Sequence, residues 1–118
     1  MSNAKEEFIE HVAGKRILCA IILREENYDD KKPVAILKSG FTGSEYLTFL
    51  NALDFEYDSG LGGQELFGDI WYKDGTWSDR GEYDGSEWWQ HQQVPEIPKE
   101  CVQQELYPRG VQRRRTQQ

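Results

Sequence analysis

Residues 66–89 read Leu66-Phe-Gly-Asp-Ile-Trp-Tyr-Lys-Asp-Gly-Thr-Trp-Ser-Asp-Arg-Gly-Glu-Tyr-Asp-Gly-Ser-Glu-Trp-Trp89. Two Asp-Gly dipeptides, Asp74-Gly75 and Asp84-Gly85, divide this stretch into three runs rich in Trp and Tyr. Asp and Gly accept the positive φ of a type I′ turn, so each dipeptide predicts a two-residue hairpin, and together they predict a three-stranded meander. The turn length also sets a register. With Asp74 and Gly75 as the loop, Lys73 opposes Thr76 and Asp69 opposes Arg80. With Asp84 and Gly85 as the second loop, Glu82 opposes Glu87 and Ser78 opposes His91.

Side chains alternate across a strand, so this register predicts which residues share a face. One face receives Phe67, Asp69, Trp71 and Lys73, then Ser78, Arg80 and Glu82, then Glu87, Trp89 and His91. The other receives Gly68, Ile70 and Tyr72, then Trp77, Asp79 and Gly81, then Trp88, Gln90 and Gln92. Asp69, Trp71, Ser78, Arg80, Glu82, Glu87, Trp89 and His91 are the candidate binding surface. Arg80 falls between Asp69 and Trp89, where it can pair with a carboxylate and stack on an indole. Trp88 falls across from Gly81, and Gly81 across from Gly68, so the indole can spread over a lane without side chains. Glu82 facing Glu87 breaks the rule that like charges avoid direct cross-strand positions. Ser78 and His91 read as a surface hydrogen bond, because no third group or oxyanion feature turns them into a nucleophile and base. Both faces carry large aromatics, more than one helix covers. The register does not specify which face a helix takes.

Upstream, Lys5 to Ala13 has helical spacing, with Phe8, Ile9 and Val12 on one side and Gly14 as its C-terminal cap. Arg16 to Arg24 is continuously apolar, the pattern of a central strand buried on both faces. Pro33 to Lys38 is a second strand, separated from the first by a polar loop over residues 25–32. Thr42 and Glu45 have capping-box spacing, and Phe41 can staple onto Tyr46. The helix they open carries Tyr46, Leu47, Phe49, Leu50 and Leu53 as its sheet-facing stripe. Phe55 to Tyr57 is a short strand. Residues 58–64 form a glycine-rich turn with no Lys-Ser/Thr behind it, so no phosphate loop is implied. Val94-Pro-Glu-Ile-Pro98 ends regular pairing. Lys99 to Tyr107 has room for a turn or two of helix, and the Arg-rich end has a disordered composition.

The fold class expected is therefore α+β. An antiparallel sheet of about five strands, in the order β-β-α-β-β-β after an N-terminal helix, packs on one main helix. Residues 1–98 form one domain and 99–118 an extension.

Charge narrows the function classes. Of 14 basic residues, Arg109, Arg113, Arg114 and Arg115 lie at the end, leaving 10 against 21 acidic side chains in residues 1–108, a balance of -11. Such a body repels a nucleic-acid backbone and attracts basic partners. The longest apolar run, Ile17 to Leu23, is too short to span a bilayer, and no signal region opens the chain, so a cytoplasmic location is expected. Cys19 and Cys101 read as incidental thiols. Two histidines without metal-ligand spacing, and no Walker, Rossmann or nucleophile-elbow pattern, point to no metal and no cofactor.

At Asp74-Gly-Thr-Trp and Glu82-Tyr-Asp-Gly-Ser-Glu-Trp-Trp89, followed by Pro95-Glu-Ile-Pro98, the chain resembles small uncharacterised proteins of phages and prophages of enteric bacteria. The resemblance covers roughly the C-terminal half of the ordered body. It implies an accessory protein in a bacterial cytoplasm and carries over no catalytic residue. Three readings follow: a non-enzymatic module that binds a host or phage protein through the aromatic meander, an acidic nucleic-acid mimic, and a small carboxylate-dependent enzyme or ligand-binding protein built on Glu82 and Glu87.

Overall fold

The computed structural model describes residues 1–27, 30–58 and 63–101. The fold is α+β, with β1 (Ser2–Asn3), α1 (Ala4–Val12), β2 (Ile17–Asn27), β3 (Asp30–Leu37), α2 (Gly43–Ala52), β4 (Glu56–Tyr57), β5 (Leu66–Tyr72), β6 (Trp77–Tyr83) and β7 (Ser86–Gln92). A five-stranded antiparallel sheet has the order β3-β2-β5-β6-β7, and β1 pairs with β4 in a separate two-stranded sheet.

The helices begin where side chains can take up their free N–H groups. Asn3 accepts from Glu6 N at the start of α1, and Thr42 and Glu45 form the reciprocal capping box of α2. Phe41 stacks on Tyr46 with ring centroids 5.8 Å apart. Both helices lie on one face of the sheet, where Phe8, Val12, Phe49, Leu50 and Leu53 pack on Ala20, Ile22, Leu37, Ile70 and Tyr72. Leu47, expected in the α2 stripe, is 62% exposed instead. A smaller cluster of Ala4, Tyr57 and Leu66 closes the end beside β4.

Three further expectations are corrected. β5 is the central strand, not β2, and the second face of β2 is only partly covered, leaving Leu18 at a bulge and 40% exposed. The polar loop expected over residues 25–32 is largely strand: Glu25 opposes Lys31 and Asn27 opposes Asp30. Glu25 and Lys31 set opposite charges across from each other, although the adjacent Arg24–Lys32 pair sets like charges opposite. Of that segment, residues 28–29 lie outside the described residues, as do 59–62 of the glycine-rich turn. Only the Lys99–Cys101 turn is described in the C-terminal extension, as a 3₁₀ helix.

The two Asp-Gly turns differ, and the difference resets the first hairpin. Asp84 and Gly85 have φ of 52° and 89°, the two-residue form, and Glu82 opposes Glu87 as the sequence predicts. At the first turn only Gly75 has positive φ, 90°. Gly75 N donates to Tyr72 O and Tyr72 N to Thr76 O, so the loop holds three residues, Lys73 to Gly75. Asp74 fixes this form by accepting from both Thr76 N (2.9 Å) and Thr76 Oγ1 (2.6 Å). Those bonds hold the exposed Asp74 carboxyl below its usual range. The added residue moves β5 by one position, so Asp69 opposes Asp79, Ile70 opposes Ser78 and Trp71 opposes Trp77. Every β5 side chain exchanges faces relative to the expected register.

Candidate functional site

The shift divides the eight candidate residues. Ser78, Arg80, Glu87 and Trp89 lie on the helix-covered face, while Asp69 and Trp71 lie on the opposite one. Glu82 and His91 share the strand positions of the first group but are exposed. Asp69 is therefore no partner of Arg80. It is Trp89 that stays with the guanidinium, Cζ lying 5.0 Å from the ring centroid.

Beneath α1 these residues form a sealed polar network. The Arg80 side chain is 2% exposed. Its Nη2 donates to Glu87 Oε1 at 2.7 Å and to Tyr57 Oη at 2.9 Å, and Nη1 lies 3.9 Å from Glu7 Oε1. Glu87 also accepts from Glu65 N at 2.8 Å and Leu66 N at 3.0 Å, which anchors β7 to the chain entering β5. Tyr57 hydrogen-bonds Glu7, and burial together with that bond raises its phenol well above its ordinary value. The Glu82–Glu87 conflict is resolved by divergence. Glu87 turns under the helix to a cation and two amides, while Glu82 accepts from Gly85 N in its own turn.

A second chain of bonds runs alongside. Ser78 Oγ lies 2.8 Å from His11 Nε2 and 2.7 Å from Tyr72 Oη, and His91 Nε2 lies 2.8 Å from Thr76 Oγ1. Ser78 and His91 are strand partners without the side-chain bond expected between them. Burial, and then the charges of Lys15, His91 and Arg80, hold the His11 imidazole below its usual value, which favours its neutral form. Ser78 is fully buried, so this pair ties α1 to β6 rather than presenting a nucleophile. Glu7, His11 and Tyr57 carry no sequence signal for these roles, because they come from elements far from the meander.

Neither α1 nor α2 lies over the opposite face. Reading across the strands, Cys19, Trp71, Trp77 and Gln92 form one row, and Ile21, Asp69, Asp79 and Gln90 the next. Beyond these, Leu23 pairs with Phe67 and Gly81 with Trp88. The Trp88 ring does cover Gly81, since a Cβ there would meet the indole at 2.7 Å. The lane does not extend to Gly68, which lies against β2, where a Cβ would meet Ile21 O. Trp71 and Trp88 are each 41% exposed and Ile36 is 53% exposed, against a buried Ile70 on the other side of the same strand.

Asp69 and Asp79 occupy the middle of this aromatic field. Gln90 Nε2 and Gln92 Nε2 donate to Asp79 Oδ1 at 2.9 and 3.2 Å. Burial and the adjacent Asp79 raise the Asp69 carboxyl above its ordinary value. Phe67, Trp77, Asp79, Trp88, Gln90 and Gln92 thus belong with Asp69 and Trp71. The turn sequence carries no signal that joins them, because Ser86 stands at the same offset from Asp84 as Thr76 from Asp74, yet that turn holds two residues.

Among the described residues, no three His, Cys, Asp or Glu side chains gather to hold a metal ion, and no helix is long and apolar enough to cross a membrane. Both cysteines are free thiols. No protein-family model, curated protein or solved structure matches the chain.

Proposed function

We propose that the chain is a non-enzymatic binding module whose open sheet face docks a protein, a host or phage protein in the bacterial cytoplasm that the sequence resemblance implies. The observation that carries this reading is the placement of both helices on one face, leaving Trp71, Trp77, Trp88, Phe67 and Ile36 on the other. A contiguous aromatic field left in water is unfavourable unless something covers it, and tryptophan dominates the energetic centres of protein interfaces. The polar network supports the same division of labour, because its carboxylates and guanidinium are spent on holding α1 and β7 in place.

A pull-down from bacterial lysate with the full chain and with Trp71→Ala/Trp88→Ala tests this. Loss of a specific partner in the double variant is expected. Identical recovery by both proteins would remove the open face as the interface. An acidic mimic of nucleic acid is the second reading, favoured by the charge of the body. It requires capture to weaken steeply between low and physiological salt, whereas aromatic docking changes far less.

A further inference from the structure

Resting on the reading of the open face as a docking surface, we propose that its occupant is a basic protein segment, with one arginine or lysine seated on the Asp69–Asp79 pair among the aromatic rings.

Two carboxylates sit directly opposite each other across β5 and β6, an arrangement that destabilises a sheet unless a cation neutralises it. Among the described residues no cation pairs with either. The nearby Lys31 ammonium sits over the Phe67 ring at 4.4 Å instead. Asp79 is oriented by two carboxamides, which fix its position without supplying charge. Trp71 and Trp77 flank the pair along the strands on one side, and Phe67 and Trp88 on the other. Carboxylates flanked by aromatic side chains suit a guanidinium or ammonium, which can gain ion pairs and ring contacts in one position.

Selectivity follows from desolvation. A neutral apolar partner covering this face would strip water from two unpaired carboxylates, at a cost that the aromatic contacts must overcome. A basic partner offsets that cost, and an acidic one, nucleic acid included, adds repulsion. The net charge of -7 draws the same class of partner from a distance.

The test is selection of binders from a random 12-residue peptide display library on the full chain, followed by affinity measurement of the recovered peptides. Enrichment of Arg or Lys at a fixed position is expected. Asp69→Asn/Asp79→Asn should weaken the recovered peptide by about tenfold or more. Glu6→Gln/Glu10→Gln, which removes the same charge from exposed positions on α1, should leave affinity within about twofold. If both double variants weaken binding equally, the attraction is only overall charge and the seat is wrong. If Trp88→Ala abolishes binding while Asp69→Asn/Asp79→Asn does not, the docking face stands and the cation seat falls. Peptides indifferent to both Trp88 and the aspartates, or an unsuccessful selection, would overturn both.

Discussion

Glu87 makes three bonds, to Arg80, Glu65 N and Leu66 N, with its side chain fully buried. Removing one partner of such a pair leaves the other charge stranded, which costs far more than the pair contributes. Glu87→Ala should therefore lower unfolding free energy by about 3–5 kcal/mol in urea titration. Glu87→Gln keeps an acceptor for only one of the two amides and turns a donor toward the other, so it too should be destabilising. His11 gives a second prediction, with its sign set by a lowered folded-state value. The unfolded chain takes up that proton first as pH falls, so the stability contribution is present above about pH 6.5 and is lost below it. His11→Gln should reduce the drop in unfolding midpoint between pH 7.5 and 5.5. An unchanged drop would assign it to other groups. Neither residue's role is legible in sequence, since Glu87 reads as half of a cross-strand conflict and nothing sets His11 apart within the helix over Lys5 to Ala13.

The elements were easier to read than their pairing. Capping at Thr42 and Glu45, the apolar run in β2 and the paired glycines are local signals, and local structure followed them. The position of α2 was not local, because its stripe fits either face of an amphipathic sheet. Nor was the first turn: Asp-Gly permits two loop lengths, and the second turn carries a hydroxyl, Ser86, at the same offset from its Asp yet closes in two residues, so the turn sequence alone does not select between them. The two-residue β1 and β4 strands offer no periodicity at all. Gly68 and Gly81 separate two kinds of constraint within the sheet. At Gly68 a Cβ would meet the β2 backbone at Ile21, whereas at Gly81 it would meet only the side-chain ends of Trp88 and Gln90. Gly68→Ala should cost roughly 1–3 kcal/mol by thermal or chemical unfolding, and Gly81→Ala distinctly less, because an indole can swing aside. Equal losses would show that Trp88 is as fixed as backbone.

At the scale of the sheet, one face carries the buried core and the other carries the proposed contact. Hydrogen exchange should reflect the lateral gradient. Amides of β5, paired on both sides and under the helices, should be the slowest, and those of the edge strands β3 and β7 distinctly faster. Uniform protection across the sheet would contradict this arrangement. The same economy makes the chain unusually sensitive to turn form at one point. Surface loops ordinarily absorb a gained or lost residue with little effect, and losing one of the three residues between Tyr72 and Thr76 would leave that pair, and the register behind it, in place. A change of turn form at unchanged length would not: if Lys73 joined β5 and paired with Thr76, Asp69 and Trp71 would come into phase with Ser78 and Arg80. Inside and outside would then disagree on adjacent strands. A segment that looks like a dispensable hairpin tip is thus where the chain decides which side of a strand is inside.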